Sequence, residues 1–148
     1  MKTEDLLYDI EADWPPDQAE LCEALRDLVE EIVRNPGTSL NAVSRPGISH
    51  SLRARVSPVR AGRDRPLYML LDVITPRVGP WSLSVCFYED EIMDPLEYGQ
   101  PVPQGLYGET GYCFDLETFD KNLVDYLNER IKEAYQVATG TTNIQNFD

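Results

Sequence analysis

The chain has 148 residues, with 26 acidic against 13 basic side chains and a formal charge of −13. Its length is that of one domain able to bury roughly 70% of the unfolded surface, and 42% hydrophobic residues with only 9 glycines exclude a disordered or fibrous protein. The longest apolar run, Leu67 to Leu71, is too short to span a membrane, and Met1-Lys2-Thr3-Glu4-Asp5 lacks the basic end and apolar stretch of a signal peptide, so a cytoplasmic protein with no membrane partner is expected.

Thr3 to Glu11 reads equally as a short helix or an extended arm. Asp17-Gln18-Ala19-Glu20 has the spacing of a capping box, and Leu21, Leu25, Leu28 and Ile32 then recur at three and four residues. This predicts an amphipathic helix of about five turns, closed by Asn35-Pro36-Gly37. Residues 36–50, with breaks at Pro36-Gly37 and Pro46-Gly47, read as loop. Leu52, Ala54 and Val56 then alternate with Arg53, Arg55 and Ser57, as on a strand with one buried face. Ala61-Gly62-Arg63-Asp64 is a turn. Leu67 to Ile74 is a nearly continuous apolar strand broken by Asp72, and its character suits a central position. Trp81, Leu83, Val85 and Phe87 alternate with Ser82, Ser84 and Cys86 in a third strand.

Residues 89–111, with three prolines and four glycines, form the longest irregular segment, of a length usually functional or mobile. Tyr112 to Phe114 can add a short fourth strand. A last helix from about Thr118 has the stripe Phe119, Leu123, Leu127, Ile131, Ala134 and Ala138, and ends at Gly140. The expected fold class is α+β: a two-layer sandwich in which an antiparallel meander of three to four strands carries an N-terminal and a C-terminal helix on one face. Residues 1–140 make a single acidic domain, and 141–148 a flexible C-terminal tail. The helix, three strands, helix order is similar to that of a double-stranded-RNA-binding domain. That family starts its final helix with basic residues, whereas Glu117-Thr118-Phe119-Asp120 is acidic. A likeness to small secretion chaperones, also acidic α+β proteins, rests on architecture alone and carries no function.

Charge is segregated. Residues 1–33 sum to −9, residues 34–77 to +6 with eight arginines, and residues 78–148 to −10. Arg53 and Arg55, on one strand face about 7 Å apart, and Arg60, Arg63 and Arg65 at the adjoining turn form a candidate anion site, or else neutralise the protein's own carboxylates. Glu20, Glu23, Asp27 and Glu30 give the first helix an acidic face. This is either a solvated surface or an imitation of a nucleic-acid backbone. Tyr98 and Tyr107 in the irregular segment are candidate partner contacts, or cover the open end of the core. Five carboxylates between Glu89 and Glu97 lack the spacing of a calcium loop. His50 has no second histidine for a zinc site, and no metal or cofactor is expected. Cys22, Cys86 and Cys113, odd in number and widely spaced, read as reduced thiols. No phosphate loop, dinucleotide fingerprint or nucleophile elbow is present.

These features point to a non-enzymatic protein-binding module of the adaptor, chaperone or immunity-like kind, with another protein as partner. One alternative is an acidic, nucleic-acid-mimicking inhibitor of a basic nucleic-acid-handling protein. The other is a small-anion-binding protein or enzyme using the arginine-rich strand. The charge disfavours direct nucleic-acid binding, and a homodimer is open if the acidic ends of one copy meet the basic block of another.

Overall fold

A computed structural model describes residues 3–141. Helix α1 (Thr3–Ala12) buries Leu6 and Ile10, so the first segment is helix rather than arm. A single 3-10 turn at Pro16–Gln18 leads into α2 (Ala19–Arg34). Six strands follow: β1 (Thr38–Arg45), β2 (Ser49–Val56), β3 (Met69–Ile74), β4 (Ser82–Tyr88), β5 (Gln100–Pro101) and β6 (Gly111–Leu116). Helix α3 (Lys121–Thr139) closes the fold.

The strands form one sheet in the order β1-β2-β3-β4-β6-β5, every neighbour antiparallel. Its inward residues, including Leu52, Ala54, Leu71, Val73, Leu83, Val85, Phe87, Phe114 and Leu116, make one core with Leu6 and Ile10 of α1, the α2 leucines and the α3 stripe. All three helices therefore cover the same face, as a two-layer α+β sandwich requires. Strand β3, read as central, lies inside the sheet between β2 and β4.

The sheet has six strands instead of three to four. The loop expected at 36–50 contains β1, because its two Pro-Gly breaks flank a strand and do not interrupt one. As an edge strand it sends only Leu40 and Ala42 towards the core, half-buried, so its apolar signal is weak. Strand β5 is two residues long and leaves no periodicity to read. The capping box is also absent: Gln18 is the N-cap of α2 and makes no side-chain cap bond, because Asp17 is taken into the 3-10 turn. Helix α3 starts three residues later than expected, at an Asp120 cap whose carboxylate accepts from Leu123 N–H at 3.2 Å. Gly140 ends it in the left-handed conformation, φ 74°, which a glycine adopts without Cβ strain.

The outer face departs most from expectation. Alternation puts Ser84 and Cys86 on the face away from the helices, yet both are buried. Leu67, Leu70, Cys86, Tyr88 and Leu106 form a second, smaller apolar cluster, with Cys113 packed against it. The 89–111 segment packs Ile92 on the helix-side core and brings Leu106 back over this half of the outer face. It is anchored by Asp94, which accepts from Tyr98 N–H, Gly99 N–H and the Tyr126 hydroxyl, and by a Leu106–Glu109 bridge with Tyr107-Gly108 at its tip. Among the described residues, the β1–β2 half of the outer face remains open. Residue Thr141 still donates to Gln136 O, and the rest of the expected tail lies outside the described residues. No helix among the described residues is long and apolar enough to cross a membrane.

Candidate functional site

Strand alternation sends Ser39, Asn41, Val43 and Arg45 of β1 to the outer face, opposite Arg55, Arg53, Ser51 and Ser49 of β2. Arg53 is half-buried and its guanidinium lies 6.0 Å from the Tyr107 ring, while Arg55 is exposed. Arg45, Arg53 and Arg55 make no ion pair among the described residues. The anion nearest them in the sheet is Asp72, which faces Ser51 across β2 and β3. Burial pushes its carboxyl above the ordinary value, against a Ser51 hydrogen bond and the charges of Arg53 and Arg45, and its Oδ1 is buried without a partner.

Arg60, Arg63 and Arg65 do not join this surface as one cluster. Arg60 is exposed and its N–H donates to Ala138 O at the end of α3. Arg63 is almost wholly buried. It donates to both oxygens of an equally buried Glu91 at 3.0 and 2.9 Å and to Leu67 O at 2.8 Å. Arg65 grips Asp90 at 2.7 and 3.0 Å and Glu109 at 2.6 and 2.8 Å, and its guanidinium lies 4.3 Å from the Tyr88 ring. Hydrogen bonds from Arg65 hold the Asp90 and Glu109 carboxyls below their ordinary values, and burial pushes the Tyr88 phenol up to about 12. Arg63 and Arg65 are thus spent on a clasp that ties the β2–β3 connection to both ends of the 89–111 segment.

The acidic helix residues are interleaved with bases. Arg26 binds Glu11 at 2.5 Å, and Arg34 binds Glu30 and the buried Glu31. Asp27 accepts from Asn128 Nδ2 at 3.0 Å, Glu20 from the Thr118 hydroxyl at 3.5 Å, and Glu23 is exposed. Tyr98 and Tyr107 are both half-exposed but sit apart: Tyr98 packs on Tyr126 of α3, with ring centroids 5.0 Å apart, while Tyr107 stands beside Arg53.

One concavity was not legible from the sequence. An open pocket of about 800 Å³ lies where α1 meets the end of the sheet, with Leu6, Ile10, Ala42 and Trp81 as apolar lining and Asp13, His50 and Arg77 among its charged or polar walls. His50 Nδ1 lies 2.9 Å from Ser44 Oγ. Burial lowers the basicity of its imidazole, against the nearby Asp13 charge. Thr75, 6% exposed, lines the same pocket with a hydroxyl that has no partner among the described residues. Its residues come from α1, β1, β2 and the turn after β3, so no local spacing announces it.

Comparison with known proteins gives no match: no protein-family model fits the chain, and no curated protein or solved structure matches it.

Proposed function

We propose that this chain is a non-enzymatic protein-binding module that takes an acidic, extended segment of a partner protein on the open half of its sheet, along β1 and β2. The observation that carries the reading is a basic face on a strongly acidic protein. Arg53 and Arg55 lie two residues apart on β2 and Arg45 lies further along the same face of β1, opposite Ser49, all without ion-pair partners among the described residues, with Val43 exposed on that face and Tyr107 beside Arg53. Were these arginines needed for internal neutrality, an excess of carboxylates was available to pair with them, as it does with Arg63 and Arg65.

The edge of β1 suits such a ligand. The Ser57 N–H to Gly37 O bond sets the phase of the β1–β2 ladder. Odd-numbered β1 residues accordingly bond β2, and the backbone groups of Leu40, Ala42 and Ser44 turn to the free edge. The Leu40 carbonyl accepts from the Thr3 hydroxyl at 2.7 Å. Ala42 and Ser44 are left to pair with an added strand, which would run about 4.8 Å from β1 and place its acidic side chains within reach of the arginine rows.

Affinity capture with charge-reversal variants tests this against the acidic-helix alternative. A partner held by the wild-type chain should be kept by Glu23→Lys/Asp27→Lys and lost by Arg53→Glu/Arg55→Glu, with binding that weakens as salt rises. The opposite pattern would replace this reading with that of a nucleic-acid mimic.

A second reading draws on the unpartnered Thr75 hydroxyl in the pocket beside α1. A polar group so buried normally has a hydrogen-bond partner, and a small ligand with an acceptor or donor there would supply one. Such a ligand should raise the melting temperature of the wild-type chain and not of Thr75→Val.

A further inference from the structure

Cys86 and Cys113 face each other across β4 and β6. The Glu89 N–H to Thr110 O bond of 3.0 Å fixes the phase of this ladder. Hydrogen-bonded and non-hydrogen-bonded pairs alternate from there, and Cys86–Cys113, three positions along, is a non-hydrogen-bonded pair. Such pairs bring their side chains closest, with Cα atoms about 4.5 Å apart, inside the range a disulfide spans. Cys86 is 8% exposed and packed in the outer apolar cluster, whereas Cys113 is half-buried with a route to solvent. The third thiol, Cys22, sits on α2 beside Glu11 and cannot reach either.

We propose that Cys86 and Cys113 form an oxidant-responsive pair that closes a reversible cross-strand disulfide, with hydrogen peroxide as the two-electron oxidant. Cys113 is the attacking thiol. A hydrogen bond from Cys86 lowers it to about 7, against burial and the Asp115 charge on its own strand. The same contact and burial raise Cys86, where Ser84 Oγ lies 3.7 Å from its sulfur and Asp72 on β3 adds negative charge. A thiolate is the nucleophile that peroxide oxidises.

The steps balance. The Cys113 thiolate attacks one peroxide oxygen, the O–O bond breaks, and with one proton water leaves and a sulfenic acid remains. The Cys86 sulfur then attacks the Cys113 sulfur, forming the S–S bond, and its proton leaves with the sulfenic hydroxyl as a second water. Overall, two thiols and one peroxide become one disulfide and two waters. Neighbouring Cys86 is the resolving thiol that intercepts the sulfenic acid before further oxidation. The bond would pin β4 to β6 beneath the segment that carries Leu106 and Tyr107.

The test treats the reduced full-length chain with hydrogen peroxide and follows it by intact mass and peptide mapping. The expected product is a monomer lighter by two hydrogens, with the Cys86 and Cys113 peptides linked, Cys22 still open to alkylation after unfolding, and full reversal by dithiothreitol. In Cys86→Ser, Cys113 should accumulate as a sulfenic acid trapped by dimedone, and in Cys113→Ser the linked product should vanish while the far-ultraviolet circular dichroism stays native. Sulfinic acid on wild-type Cys113 without a link, an intermolecular disulfide as the sole product, or no reaction at Cys113 would each overturn the proposal.

Discussion

Asp72 concentrates the conflict between fold and charge in one side chain. It interrupts an apolar strand, half-buried, and one carboxylate oxygen has no partner. Burial raises its folded-state value above the ordinary 3.8, so between those two values the native state holds more protons than the unfolded one. Stability therefore falls as pH rises through that window, and the deficit persists at neutral pH. Asp72→Asn should be more stable than the wild type at pH 7, and the advantage should fade on acidification and vanish well below pH 3.8, where both side chains are neutral in either state. Urea midpoints measured across this range check it; an advantage that grows on acidification would contradict the burial argument. Asp72 was visible in the sequence as the polar break in a central strand. Its lack of a full partner set was not, because that depends on Ser51, Arg53 and Arg45 arriving from two other strands.

Among the connecting elements, the 89–111 segment owes its place to the arginine clasp more than to its own backbone. Arg63 and Glu91 are both nearly inaccessible, at 2% and 1% of side-chain surface. Removing Arg63 takes the two-pronged partner from the buried Glu91 and leaves it Arg65, 3.1 Å away, so the cost is at most that of a fully broken buried pair, about 3–5 kcal/mol. Arg63→Ala should lose stability up to that limit, while Arg63→Met/Glu91→Leu, which removes both charges and keeps most of the volume, should recover a large part of it. Equal losses in the single and double variants, read from denaturant unfolding, would mean that packing and not charge holds the clasp. The arginine block and the acidic run were each readable from composition. Their mutual pairing was not, since Arg65 reaches Glu109 across 44 positions, and spacing in sequence says nothing about approach at that range.

For the whole molecule, a formal charge of −13 makes self-repulsion a general cost of the compact state. The internal pairs formed by Arg63 are too buried for salt to weaken much, whereas repulsion among exposed carboxylates is screened over about 8 Å at physiological ionic strength. The net effect of added sodium chloride should be stabilising. A gain of about 1 kcal/mol would raise the melting temperature by about 2–4 °C for a chain of this size, as calorimetry between low and physiological salt would show. A fall in melting temperature would indicate that the exposed ion pairs outweigh the net charge. The same screening should weaken the partner binding proposed at Arg53 and Arg55, so the two salt responses run in opposite directions and can be separated.

Local pattern alone determined the parts of this protein that repeat within one element. The stripe from Leu21 to Ile32, the stripe from Leu123 to Ala138, the alternation from Leu52 to Val56 and the stop at Gly140 each follow from a period or a backbone preference within about twenty residues. Tertiary structure decided what depends on distant partners. It turned a weakly apolar stretch into edge strand β1, packed Cys86 in a cluster with Leu106, and divided the arginines between a buried clasp and an open face. The physical reason is that burial belongs to a neighbourhood and not to a residue: whether Arg63 is a ligand site or a structural tie depends on Glu91 reaching it, 28 positions away.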